Sequence, residues 1–575
     1  METTYPYFFY MHEIFVCSEG SEALSPLITG FLLVESSAQA IGYLSHTIVS
    51  GTERNVMTLT SKVVESLFSH PYVILFVGAA TVVVYRRLQN RHTPPGPPRL
   101  PFLGNILQVP RQFQSLPFLE WSTQYGPIFS LDLLGQNIIV LNTFKAASDL
   151  LDHRSNIYNS RPHMTMVQDI ICGGTFPPLE ADSDLWRKWR RASHETYGPE
   201  GVEKYQANQA EAAALATLRT IIDPNGWENN IEVYTASIIF STVYGWPPLE
   251  ANSPALKVAF ELSERISSSI VPGAFLVDIF PLMKFLPAWM ARWKREGMTF
   301  HDKMSAVLEK YFADAIDETD SGNVQTCYVS ELARTVDRHG FSKKTSAWIS
   351  GTMLAAGADT ITTSLSNFLL AMLNYPDVMR KAQAELDEVV GRERIPTFGD
   401  KDNLPYIRAI VRETLRWRPV SPIGLPHVAT EDNWYEGYFI PKGTAVFGNI
   451  WAMNRDPSIY PDFDVFRPER FLDESGAVET SPPNARQSGH ATFGFGRRIC
   501  IGMHFADQAL FIAIATMLWA FDIKPPVNKN GDVVIPPTDQ WVDAGTAVRS
   551  APFECRFSVR SSDAQTVLEN CISTS

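Results

Sequence analysis

Residues 493–502 read Phe-Gly-Phe-Gly-Arg-Arg-Ile-Cys-Ile-Gly, and an apolar run with helical spacing, Met503 to Phe521, follows directly. Cys500 therefore stands in a glycine-rich loop at the start of a helix. A helix N-terminus carries free N–H groups and partial positive charge, and both favour a thiolate over a thiol. Gly494, Gly496 and Gly502 carry no side chain, so the backbone can approach the sulfur closely. Its N–H groups can then tune a bound metal. Phe493 is placed to shield the sulfur from water. A lone cysteine is most often a small buried hydrophobe. A glycine-rich loop can also cradle phosphate, but no GxxxxGK[ST] occurs in the chain.

The rest of the composition narrows the classes. Of 575 residues, 45% are hydrophobic and 19% charged, the balance of a globular protein rather than a disordered one. Lys plus Arg is 49 against 62 Asp plus Glu, and a net charge of −13 argues against a nucleic-acid binder. Six cysteines without a CxxC exclude a disulfide scaffold and the usual structural zinc spacing. No Lys or Arg precedes Arg54, which argues against a cleaved secretory signal. Leu67–Tyr85 reads LFSHPYVILFVGAATVVVY, and about 20 such residues cross a hydrocarbon core of roughly 30 Å. Arg86, Arg87, Arg91 and Arg99 follow, so everything after Tyr85 is expected to face the cytosol. Pro94, Pro95, Gly96, Pro97 and Pro98 then form a stiff hinge.

Downstream, Ile128–Leu133 and Asn137–Leu141 alternate around Leu134-Gly135-Gln136 and predict a β-hairpin. Helical periodicity dominates from about 145 to 425, as in Glu203–Ile222, Asp302–Thr319 and Lys344–Asn374. Strand signals return near Asn433–Val446, with a turn at Glu436-Gly437, and again after Phe521. The expected fold class is mainly α with a small β region (α+β), the sheet drawn from both ends of the body. The expected organisation is a luminal or disordered extension over 1–66, a transmembrane anchor over 67–85, a basic and Pro-rich hinge over 86–99, one catalytic domain over 100–560 and a tail over 561–575.

Further motifs lie in a fixed order. Trp186-Arg187-Lys188-Trp189-Arg190 suits a basic amphipathic helix. Ala356-Gly357-Ala358-Asp359-Thr360 lies in a long helical stretch, where Thr can bond back to an upstream carbonyl. Glu413 and Arg416 stand at i, i+3 on one helical face, a spacing that usually gives a weak surface pair. Pro468-Glu469-Arg470-Phe471 precedes the cysteine loop. Together with Phe-x-x-Gly-x-Arg-x-Cys-x-Gly, these elements resemble the cytochrome P-450 family of haem-thiolate monooxygenases. The general look is similar to fungal microsomal members of specialised metabolism.

The resemblance implies the P-450 fold with a single N-terminal transmembrane helix, and haem (iron protoporphyrin IX) with O2 as co-substrate. It makes Cys500 the axial iron ligand, beside Phe493. Trp186, Arg190, His427 and Arg498 would hold the haem propionates. Asp359 and Thr360 would deliver protons, and Gly357 would permit close approach to bound oxygen; Ile361 departs from the second hydroxyl residue of many members. Glu413, Arg416 and Arg470 would form a buried structural triad. No GxGxxG follows a strand, so electrons are expected from an NADPH-cytochrome reductase, with Arg187, Lys188, Arg191 and Arg497 as a basic docking face. Apolar residues in Met164–Phe176, Trp348–Ala358, Val420–Leu425 and Gln540–Ala547 are expected to contact a hydrophobic small-molecule substrate. The expected activity is hydroxylation or epoxidation in fungal secondary-metabolite biosynthesis, at the endoplasmic reticulum membrane in contact with lipid. A haem-thiolate isomerase or dehydratase and a non-enzymatic haem or lipid carrier are the alternatives; Asp359-Thr360 favours the monooxygenase.

Overall fold

The computed structural model describes residues 92–574 apart from 272, 323–325 and 479–488. The expected extension over 1–66, the anchor over 67–85 and the first part of the hinge, 86–91, lie outside the described residues.

The longer helices are α1 Ser115–Tyr125, α2 Asp184–Tyr197, α3 Gln206–Ile222, α4 Trp227–Tyr244, α5 Pro254–Ile270, α6 Arg292–Asp320, α7 Lys343–Asn374, α8 Pro376–Val389, α9 Pro405–Trp417, α10 Met503–Ala520 and α11 Ala564–Thr574. The strands are β1 Ile128–Leu133, β2 Gln136–Leu141, β3 His427–Val428, β4 Asn433–Tyr435, β5 Tyr438–Ile440, β6 Ala445–Gly448, β7 Phe521–Lys524, β8 Trp541–Asp543, β9 Val548–Ser550 and β10 Arg556–Val559.

The first hairpin forms where alternation predicts it, with Ile128 opposite Leu141 and Leu133 opposite Gln136. Strand β2 continues into a parallel pairing with β6, which pairs with β3, giving the order β1-β2-β6-β3. Glu436 and Gly437 take φ of 48° and 83° between β4 and β5, the left-handed pair that a two-residue hairpin turn requires. The C-terminal strands do not join the larger sheet. They form separate pairs, β7 with β10 and β8 with β9. The larger sheet thus joins strands from either side of the helical region, 128–141 with 427–448, as expected, while the strands after Phe521 stay outside it.

Helix α7 runs through the centre of the helical layer. Ser342 caps it, accepting from the Thr345 N–H. Trp348, Leu354, Ala358, Leu365 and Phe368 are buried around its circumference, because α4, α5, α6 and α10 pack against different faces. A helix enclosed on all sides is apolar on all sides. The same holds for α10, which packs against α3, α7, α8 and α9.

This corrects the single N-terminal transmembrane helix. Among the described residues, the one helix long and apolar enough to cross a membrane is α10, near the C-terminus. Of that stretch, 78% is buried within the protein. Its hydropathy comes from core packing directly behind the cysteine loop.

Candidate functional site

Cys500 lies on the short link between a 3-10 turn, Gly496–Arg498, and α10. The loop is pinned at several points. The Cys500 N–H donates to Phe493 O (2.8 Å), and the Gly496 N–H donates to Asp152 Oδ1 (2.6 Å). Gly496 has φ of 58°, and a Cβ there would overlap Leu151 O, so only glycine fits. The sulfur faces a cavity of about 370 Å³, and the accessible surface of Cys500 is cavity surface. Burial pushes its thiol up, while the hydrogen bond from the Gly502 backbone and the charge of Arg190 pull it back.

Cations converge on the same cavity. The Arg498 guanidinium lies 3.8 Å from the centroid of the Trp186 ring, a cation–π contact. Its Nε donates to Asn159 O (2.5 Å) and its Nη2 to Glu180 O (2.8 Å). Its Nη1 is buried and unpartnered. Arg161 donates to the carbonyls of Pro178, Leu425 and Pro426. Arg190 donates to Ile499 O (2.6 Å), the residue before Cys500. Among the described residues, no carboxylate forms an ion pair with Arg161, Arg190 or Arg498. Burial pulls the Arg498 guanidinium down to about 9, against the opposing charge of Asp182. Cations buried without counterions call for a ligand that brings its own anions.

His427 stands beside them on β3. Its Nδ1 lies 2.7 Å from Tyr158 O and donates to it. Burial drives its pKa far down, helped by the charges of Arg161 and Arg498. The imidazole is neutral at physiological pH, with Nε2 free to accept.

Asp359 and Thr360 enter the cavity from α7. Thr360 Oγ1 donates back to Ala356 O (2.9 Å), and Ser364 Oγ to Thr360 O (2.9 Å). Asp359 is buried, and desolvation raises its pKa, with Arg549 opposing and Glu264 adding to the rise. Asp359 also lines a second, adjoining cavity of about 280 Å³ with Glu232, Glu264, Lys257 and Arg549. The missing side chain of Gly357 is filled from α4: a Cβ there would overlap Ile239 Cδ1. The glycine thus serves helix packing, a role the sequence did not show.

The structure brings Cys500, Phe493, Trp186, Arg190, His427, Arg498, Asp359 and Thr360 to one cavity. It keeps Glu413, Arg416 and Arg470 out of it. Leu415 of α9 faces the cavity, while Glu413 and Arg416 turn to the opposite side and bond to the 454–470 segment. Of the expected substrate segments, Phe176, Met353, Ile423, Leu425 and Thr546 line the cavity. Met164 to Ile171 do not: Met166 and Ile170 press instead on Gly297 of α6. Sequence reasoning missed Arg161, which stands in a polar stretch, Asn159-Ser160-Arg161-Pro162-His163, that gives no sign of burial. It also missed α5, which contributes Ser263, Ile266, Ser267 and Ile270.

The residues fit an iron porphyrin. A thiol with a backbone donor on the sulfur stands at one wall, the cavity is lined largely by apolar side chains, and Arg161, Arg190 and Arg498, with no ion-paired carboxylate among the described residues, would suit the group's acidic substituents. Residues 94–542 match the family model described as Cytochrome P450. The chain is 47% identical over 479 residues to Cytochrome P450 monooxygenase 58 of Postia placenta, covering 83% of this chain and 90% of that protein. Cytochrome P450 monooxygenase 253 of the same fungus matches with the same identity and coverage. A cytochrome P450 monooxygenase of Armillaria gallica is 41% identical over 496 residues, covering 86% of this chain and 95% of that one. The chain belongs to the cytochrome P450 family and is a haem-dependent oxidoreductase of the monooxygenase class.

Proposed function

We propose that Cys500 binds haem as its thiolate and that the cavity beside it oxygenates a hydrophobic small molecule, by hydroxylation or epoxidation, in fungal secondary metabolism. The carrying observation is the Cys500 sulfur, turned into an apolar cavity and bonded by the Gly502 backbone. When bound, thiolate-ligated haem supplies oxygen activation, placing one atom of O2 in the substrate and the other in water. The remaining work belongs to the chain. Arg161, Arg190, Arg498, Trp186 and neutral His427 hold the propionates. Phe493 keeps water from the sulfur. Asp359, with its carboxyl pKa raised by burial, passes protons from the adjoining polar cavity toward Thr360 Oγ1.

Electrons come from a separate NADPH-dependent flavin reductase in this reading. Arg187 and Lys188 already pair with Asp182 and Asp184, each at 2.9 Å. Arg191 and Arg497 are exposed and form no ion pair among the described residues, so they are the stronger docking candidates. We place the protein at the endoplasmic reticulum membrane, with the catalytic body on the cytosolic side. Exposed Leu282, Phe285 and Trp289 supply an apolar surface that suits lipid. The reduced protein treated with carbon monoxide is expected to show the red-shifted Soret band of thiolate ligation, and Cys500→Ala to lose it. An unchanged band in Cys500→Ala would sink the reading.

A further inference from the structure

Most hydroxyls around the cavity are used up internally. Thr352 donates to Trp348 O, Thr360 to Ala356 O and Ser364 to Thr360 O, each within α7. Thr492 donates to Leu415 O. The hydroxyls on α5 differ. Ser263 and Ser267 stand at i, i+4, on one helical face, and both line the cavity. Ser263 is 5% exposed, and its hydroxyl has no hydrogen-bond partner among the described residues. Ser267 Oγ accepts from Thr546 Oγ1 (3.1 Å), so its own proton is left free. Thr546 reaches it because Gly545, at φ 104°, lets the β8–β9 turn close onto α5; a Cβ there would overlap Ser267 O. Ile266, Ile270, Met353 and Ala547 line the same cavity.

We propose that Ser263, Ser267 and Thr546 form a hydrogen-bonding subsite for a neutral oxygen function, an alcohol or ketone, on an otherwise hydrocarbon substrate. Two free O–H donors suit one accepting oxygen. The three groups themselves are uncharged, which disfavours a carboxylate or an ammonium as their direct partner, and Ser267 also borders the adjoining cavity that holds Lys257, Glu264 and Arg549. The substrate is then a skeleton that has been oxygenated once before it arrives. This rests on the reading of the cavity as the substrate site.

The test compares adamantane, 1-adamantanol, 1-adamantanecarboxylate and 1-aminoadamantane on the holoenzyme, with affinity read by equilibrium dialysis. The alcohol is expected to bind roughly fivefold tighter than the hydrocarbon, the scale of a typical net hydrogen bond. In Ser263→Ala/Ser267→Ala that ratio is expected to fall to about one, with adamantane binding unchanged as the check on folding. Thr546→Val is expected to lower the ratio less, since it acts through Ser267. Equal binding of alcohol and hydrocarbon by the natural protein overturns the proposal, as does a ratio that survives the double substitution. Tighter binding of the carboxylate or the amine overturns the neutral class. Dialysis does not depend on the Soret band, so loss of the haem reading and loss of this subsite are separate results.

Discussion

The Glu413 carboxylate holds Arg416 through two hydrogen bonds, 2.6 Å to Nε and 2.8 Å to Nη2, with both side chains fully buried. The same carboxylate accepts from Arg470 Nε (3.2 Å) and the Arg467 backbone N–H (2.8 Å). Arg416 in turn donates to Asn454 O and Phe463 O, each at 2.9 Å. These bonds tie α9 to the chain that leads into the cysteine loop. Removing one partner leaves a buried charge alone. Glu413→Gln is expected to cost about 3–5 kcal/mol in urea unfolding. The double change Glu413→Leu/Arg416→Met is expected to cost less than the sum of the single changes.

Gly357 and Ile239 occupy one space between α7 and α4. Gly357→Ala forces Ile239 aside in a packed interior, with an expected loss of about 1–3 kcal/mol. Ile239→Val shortens the obstructing arm. Combined with Gly357→Ala it is expected to restore part of the lost thermal midpoint, whereas Ile239→Val alone lowers it. Additive losses in the pair would show that the two sites do not share that space.

Asp278 accepts from the Met166 N–H (2.9 Å), and its other oxygen is buried and unpartnered. Burial pushes its carboxyl up to about 6, with the bond from Met166 opposing. The folded chain therefore binds this proton more tightly than the unfolded chain, whose carboxyl titrates near about 4. Its stabilising contribution is present below about 4 and is lost as pH rises to about 6. Asp278→Asn keeps an acceptor for Met166 without the charge. The variant is expected to melt higher than the natural protein at pH 7, with the difference shrinking below about pH 5. A difference independent of pH would exclude the carboxyl as its source.

Arg191 and Arg497 give the proposed electron transfer a checkable face. Reversing both to Glu is expected to raise the reductase concentration needed for half-maximal turnover and to weaken its dependence on salt. The carbon monoxide band of the variant stays unchanged if docking alone is affected. Reversal of Arg187 and Lys188 is expected to do less, since both already have acidic partners.

Local chemistry made much of the site legible. The glycines around Cys500 mark a loop that few other residues could form, and the β1–β2 hairpin follows from alternation around a tight turn. The apolar run after Cys500 reads correctly as a helix, and neighbouring helices cover it although it is long and apolar enough to cross a membrane. Reading failed where side-chain contacts depend on distant partners. The apolar residues from Met164 to Ile171 resemble a pocket wall in sequence, but their contacts go to α6. Arg161 lies far in sequence from the loop it joins, and an isolated arginine carries no local sign of burial.

By itself, the sequence determined which side chains can ligate, pair with anions and cap helices, because those properties belong to residue types and short spacings. The tertiary structure alone decided that Arg161, Arg190 and Arg498 share one cavity with no ion-paired carboxylate among the described residues, that Ile239 fills the notch at Gly357, and that a turn near the C-terminus meets α5 at Ser267. Such relations depend on which helix faces which. That is settled by the packing of buried surfaces between residues hundreds of positions apart, and no short stretch of chain encodes it.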